Sequence, residues 1–187
     1  MRAALILTLA AGAQAWAHQA AADTAQILGQ AGSWGYFVAT DPMNDKQWYG
    51  ALTKTEGVSL QVSCQPHNPT ALNVSFSTKQ FLGSGYRDVT YRVDSLPSHT
   101  DTAVFSNKDF LLLCEGACRG NGASSSPNER LIGQVKTGTQ LLTQMRTHSG
   151  ETVEFLFPVD GAAEAFTQVT EGCLRLNPSM KKRQLTK

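Results

Sequence analysis

The sequence predicts an α+β domain: a mainly antiparallel β-sheet or sandwich with a C-terminal helix packed on it. Three observations carry this. Apolar and polar residues alternate with period two through the middle of the chain. Clusters of Gly, Pro, Asn and Ser separate those runs. One amphipathic stretch with helical spacing closes the sequence.

The first elements precede the domain. Met1 and Arg2 supply a positive start, residues 3–12 are apolar and uncharged, and Ala13, Ala15 and Ala17 offer small residues at cleavage positions. This is the layout of a secretory signal, placed at residues 1–17. The apolar run is too short for a spanning helix, which needs about 20 residues, so no transmembrane anchor is expected. The first cysteine is Cys64, so no lipobox follows. Residues 18–32 are rich in Ala and Gln and read as a leader segment or weak helix.

A single domain is expected over residues 33–175. Trp34, Tyr36 and Val38 alternate with Gly35, Phe37 and Ala39. Residues 41–45 read as a turn set by Pro42 and flanking Asp and Asn. Residues 48–54 suit a second strand. Val58, Leu60, Val62 and Cys64 alternate cleanly, as do Leu72, Val74 and Phe76, which suggests a hairpin with one wet face around a Pro-containing turn over 65–70. Gly83 and Gly85 mark a loop over 81–87, after which Val89, Tyr91 and Val93 alternate. Residues 96–102 read as a Pro/Ser/His loop, 110–114 as a short buried strand, and 115–127 as surface.

Asn128 is a cap candidate for a short helix to about Val135, with Gly138 ending it. Residues 141–145 and 153–157 suit two further strands joined at Ser149 and Gly150. Asp160 is the cap candidate for the last helix, in which Ala162, Ala165, Phe166, Val169 and Cys173 recur at helical spacing. Residues 176–187 form a basic tail. After Glu171 there is no acidic residue, while Arg175, Lys181, Lys182, Arg183 and Lys187 crowd the end. That tail is either simply solvated or in weak contact with an anionic envelope surface. The net charge of the whole chain is +1, so no global field points to nucleic acid.

The four cysteines, Cys64, Cys114, Cys118 and Cys173, are even in number, which in an exported chain indicates disulfides. They allow three pairings. The Glu-Gly-Ala spacer between Cys114 and Cys118 can close on itself, which leaves Cys64 with Cys173. A zinc site would need two more ligands at suitable spacing, and none are present.

Catalytic signatures are missing: no Gly-x-Ser-x-Gly, no His-Glu-x-x-His and no phosphate loop. His18, His67, His99 and His148 lie near the cleavage site or in expected turns. Asp41, Asn44 and Asp45 lack the spacing of a calcium loop and read as a turn. Arg92 and Asp94 lie two apart on one strand, as an ion pair or as a polar recognition patch. Trp34, Tyr36, Tyr91, Phe155, Phe157 and Phe166 suit a core. Trp48 and Tyr49 are less periodic and are the candidates for an exposed contact surface. The reading is a protein without cofactor or metal that binds a protein or cell-envelope component and is not an enzyme.

The ordered set of a Trp-started strand, Asp41-Pro42-Met43-Asn44-Asp45, Leu60-x-Val62-x-Cys64, Tyr91-Arg92-Val93-Asp94, and Phe157-x-Val159-x-Gly161 followed by Ala165, Val169 and Cys173 resembles the VasI/TagO-like periplasmic proteins associated with type VI secretion. The resemblance covers nearly the whole mature chain. The loop of Cys114 and Cys118 is not part of that pattern, and Leu174 stands where a tryptophan is expected. A looser resemblance to invasion-associated locus B proteins comes through a secreted β domain opening with Trp. The family comparison implies an accessory, non-enzymatic envelope role and carries over no catalytic residue. Periplasmic or secreted localisation is expected. A secreted inhibitor or immunity-type protein, and a cryptic hydrolase, are the alternatives.

Overall fold

A computed structural model describes residues 25–41, 45–65, 68–78, 83–107, 110–114 and 126–176. It contains a ten-stranded sheet in which every pairing is antiparallel. The strands are β1 (Gln26–Ala31), β2 (Trp34–Thr40), β3 (Gln47–Thr55), β4 (Val58–Gln65), β5 (Asn68–Thr78), β6 (Tyr86–Val93), β7 (His99–Asn107), β8 (Phe110–Leu113), β9 (Gln140–Arg146) and β10 (Thr152–Pro158). Helix α1 (Pro127–Val135) falls between β8 and β9, and α2 (Ala162–Leu176) follows β10. The order across the sheet is β1-β2-β3-β4-β5-β8-β7-β6-β9-β10.

The sheet curls until its last strand returns to its first half. The carbonyl of Pro158 in β10 accepts from the hydroxyls of Thr53 in β3 (3.0 Å) and Ser33 (2.9 Å). The Asp160 carbonyl takes the Ser33 backbone N–H at 3.1 Å. The fully buried Trp34 gives its indole N–H to the Val159 carbonyl at 3.3 Å. Gly161, at φ 81°, follows, and a Cβ there would collide with the Ala31 carbonyl. These contacts fasten the β1–β2 turn to the segment leading into α2.

The period-two residues build the main core. Leu60, Val62, Val74, Phe76, Val89, Tyr91, Val93, Leu141, Met145 and Phe157 are buried in one cluster with Ala165, Phe166, Val169 and Cys173 of α2. Burying aliphatic and aromatic surface of this kind is the main driving force of folding. Phe166 meets Trp34 edge-on, with ring centroids 4.8 Å apart. The predicted face of α2 is thus the buried one, and the mostly β fold with a packed C-terminal helix is as expected. Cys64 of β4 and Cys173 of α2 are disulfide-bonded across a separation of 109 residues.

Several local expectations are corrected. The leader segment expected over 18–32 contains β1 from Gln26 onward, so paired structure begins ahead of residue 33. An edge strand exposed along most of its length shows no alternation, and pairing with β2, not intrinsic propensity, makes it a strand. The loop expected over 96–102 ends sooner, because β7 starts at His99. The turn expected over 65–70 is shorter, because β5 starts at Asn68. The cap of α1 is Ser126, whose hydroxyl accepts the Glu129 N–H at 3.3 Å, with Pro127 opening the helix. Asp160 is not the residue before α2. Gly161 holds that place, and its carbonyl accepts the first helical bond from Ala165. The signal peptide, residues 18–24 of the leader and the tail beyond Leu176 lie outside the described residues.

β2 is buried on both faces, which simple alternation did not foretell. Phe37 and Ala39 join Leu52 in a second, smaller cluster on the other side of the sheet, with Ala25 and Trp48 against it.

Candidate functional site

β6 organises both candidate sites, because its alternate residues serve opposite faces of the sheet. Tyr91 points inward and is 1% exposed. Thr90 and Arg92 lie on the outer face, with Arg92 exposed.

On the inner side Tyr91 meets Asp101 of β7 and Arg130 of α1. The phenol donates to the Asp101 carboxylate at 2.7 Å. The Arg130 Nε donates to the phenol oxygen at 3.0 Å, and its Nη2 reaches both Asp101 oxygens at 2.8 and 2.9 Å. His99, across the pair from Tyr91, lies with its ring 5.8 Å from the tyrosine ring. Burial pushes the Tyr91 phenol well above the ordinary tyrosine range, and its hydrogen bond to Asp101 adds to this. The Arg130 guanidinium is held charged first by its bond to Tyr91. A phenol locked in its protonated form by an acceptor cannot serve as a base. The acid and the cation neutralise one another, so the cluster clamps α1 to β6 and β7.

The second arm of that clamp is Asn128, which is fully buried. Its side-chain carbonyl accepts the backbone N–H of Val74 in β5 at 3.0 Å. β8 pairs with β5 only alongside Ser75, Phe76 and Ser77, so α1 takes over where that ladder ends.

On the outer side lies a pocket of about 280 Å³. Thr90, Tyr91 and Arg92 of β6, Leu142 and Gln144 of β9, and Ser98 of the β6–β7 turn line it. The register sets Arg92 opposite Leu142 and Thr90 opposite Gln144. Thr90 shares a hydroxyl–hydroxyl bond of 2.8 Å with Thr100, and Gln144 gives an amide N–H to Glu154 of β10. Among the described residues the side chains of Arg92 and Ser98 have no hydrogen-bond or ion-pair partner.

The residues singled out from the sequence are dispersed. Arg92 reaches the pocket, but Asp94 does not pair with it. Asp94 sits past the end of β6 at φ 47°, and its carboxylate accepts from the Thr139 hydroxyl (2.8 Å) and the Thr139 and Gln140 backbone N–H groups (3.0 and 2.9 Å). These bonds, the Thr139 hydroxyl first, hold Asp94 below the usual carboxylate range. Its role is to anchor the entry to β9. Trp48 and Tyr49 do not share one surface, since consecutive strand residues face opposite ways. Trp48 packs edge-on against Phe37, with centroids 5.2 Å apart. Tyr49 lies flush on α2, where a Cβ at Gly172 would collide with its ring, and Arg175 stands 5.9 Å over it. Both are half-buried and occupied by packing.

Cys114 is buried and disulfide-bonded, while Cys118 lies outside the described residues, as do His18, His67 and Asn44. Asp41 and Asp45 close a turn through an Asp45 N–H to Asp41 carbonyl bond of 2.9 Å. Among the described residues no group of three or more His, Cys, Asp or Glu side chains is placed to hold a metal. In the same set no helix is long and apolar enough to cross a membrane. Sequence reasoning did not find Asp101 and Arg130. Residues 91, 101 and 130 meet only through the sheet and α1, and no spacing signals that meeting.

No protein-family profile matches the chain, and no curated protein matches it by sequence. Its fold is similar to that of invasion associated protein B from Bartonella henselae, with a TM-score of 0.51 at 8% identity. That likeness covers 75% of this chain and 94% of the other. Of the two sequence resemblances, it lies with the invasion-associated locus B proteins. Neither the VasI/TagO-like proteins nor type VI secretion gains support from it.

Proposed function

We propose that this protein is an exported accessory protein of the cell envelope or its exterior, which binds a protein or envelope partner and catalyses no reaction. The observation that carries binding over catalysis is how the polar groups are used. Tyr91, Asp101 and Arg130 saturate one another, and Asp94 is committed to the backbone of Thr139 and Gln140. Arg92 is the charged group of the outer pocket left without a partner among the described residues. Export is supported by the Cys64–Cys173 disulfide, a bond that persists in oxidising compartments, and by the signal-like start of the chain.

Intact-mass analysis of the protein recovered from a periplasmic fraction tests export, with cleavage after Ala15 or Ala17 as the expected result. A membrane-bound product that retains Met1 overturns it. Cross-linking of the mature protein in intact cells tests the accessory role, and one reproducible envelope partner is expected. Hydrolysis of peptidoglycan, peptide or ester substrates by purified protein, abolished by His99→Ala or His148→Ala, would falsify the non-enzymatic reading. An association with type VI secretion rests on the sequence resemblance alone. It predicts that the cross-linked partner is a component of that apparatus.

A further inference from the structure

We infer that the outer pocket on β6 and β9 is a carboxylate-binding site for an acidic peptide segment, with Arg92 as the anchor. The inference rests on the binding role proposed above and names the chemistry of the partner.

Four observations converge on it. First, Arg92 is exposed at the pocket and has no partner among the described residues. A guanidinium presents its N–H groups in a planar fork that fits a carboxylate two bonds at a time. Second, neutral polar groups surround it. Ser98 has a hydroxyl without a partner, and Gln144 gives its amide N–H to Glu154 and keeps its carbonyl oxygen for a donor such as a peptide N–H.

Third, the apolar flank has the right place and size. Leu142 lies directly opposite Arg92, and Leu156 of β10 lies directly opposite Leu142. Leu156 is 48% exposed, and Leu96 in the β6–β7 turn is 41% exposed. An acidic side chain on Arg92 would leave a neighbouring aliphatic side chain of the same peptide over Leu142 and Leu156. The pocket, of about 280 Å³, has room for peptide side chains. Fourth, charge selects among anions. Among the described residues Arg92 is the one cation that lines the pocket, and Glu154 lies just beyond Gln144. That arrangement suits a monoanion and repels a dianionic phosphate, whose sites commonly gather several cations. The aliphatic flank likewise favours a peptide over a sugar phosphate.

The test uses the full mature protein and a labelled peptide of alternating Glu and Leu residues, followed by fluorescence anisotropy at low salt. Binding is expected for wild type. It should weaken at least tenfold in Arg92→Glu, recover in part in Arg92→Lys, and fall similarly when the peptide's Glu residues become Gln. Arg146→Glu, on β9 but outside the pocket, should bind as wild type does. Equal thermal unfolding of the variants shows that the fold is kept. Absence of binding by wild type, or full binding by Arg92→Glu, overturns the inference. So does equal weakening by Arg146→Glu, which reports a diffuse charge effect. Preferential, Arg92-dependent binding to inorganic phosphate or to phosphatidylglycerol vesicles also overturns it and assigns the pocket to a phosphate ligand. If Arg92→Glu still cross-links to the partner of the wild type in cells, this site is wrong while the binding role stands. Loss of every partner by wild type itself fails the broader reading.

Discussion

Asn128 of α1 accepts the backbone N–H of Val74 at 3.0 Å, beyond the last residue pair that joins β5 to β8. A side chain on a helix thereby continues a strand's hydrogen bonding where the neighbouring strand gives out. Buried N–H groups need a partner, and here the partner also fixes the height of α1 on the sheet.

Asn128→Ala should therefore lower stability by about 1–3 kcal/mol, the cost of leaving a buried donor unsatisfied. Urea unfolding measures the loss, and faster hydrogen exchange at the Val74 amide locates it. An unchanged exchange rate at Val74 would mean that the bond contributes nothing to local order.

Phe166→Ala should cost about 3–5 kcal/mol, because the ring is 1% exposed and stands edge-on to Trp34. A change below about 1 kcal/mol in urea would contradict the burial of that ring.

Trp48→Ala should destabilise the fold by about 2 kcal/mol, through its contact with Phe37 in the smaller cluster. The same variant should bind the Glu-Leu peptide as wild type does. Loss of peptide binding with intact stability would restore Trp48 as a contact residue.

Tyr91 sets a pH dependence. Its phenol is held protonated in the fold by burial and by Asp101, above the ordinary value that the unfolded chain shows. The contribution is fully present below that ordinary tyrosine range, near pH 10, and fades as pH rises above it, because only the unfolded chain releases the proton there. Ultraviolet titration of tyrosinate should show a late step, that of Tyr91, which appears only with unfolding. In Tyr91→Phe the late step should vanish. A late step that survives in Tyr91→Phe belongs to another residue.

Much of the fold was legible because burial on one side writes a period into the chain. Val58 to Cys64, Val89 to Val93 and the Ala162 to Cys173 face all show it, and all are core. β1 and β7 were hidden for opposite reasons. β1 is an edge strand exposed along most of its length, so no period exists to read. β7 carries Asp101 near the core, where Arg130 neutralises it, and a charge at such a position masks a strand pattern. Of the candidate site, Arg92 was legible as a charged residue on a half-buried strand. Its neighbours Leu142 and Gln144 were not, since β6 and β9 are distant in sequence and paired only by the sheet. Trp48 and Tyr49 look like one patch in the sequence, but as adjacent strand residues they serve two faces.

The position of β5 has a consequence for the order in which the cystines form. The ribosome makes Cys64 before Cys114, and Cys173 emerges 109 residues after Cys64. An oxidant acting early therefore meets Cys64 when Cys114 is the nearer thiol in time. In the finished sheet β5 lies between β4, which carries Cys64, and β8, which leads into Cys114. Two strand spacings separate the outer pair by about 9–10 Å, beyond the roughly 7 Å between Cα atoms that a cystine can bridge. Once β5 is seated, that cross-link is geometrically closed, and Cys64 is left to reach Cys173 of α2. The position of the central strand thus restricts which thiols the finished sheet lets meet.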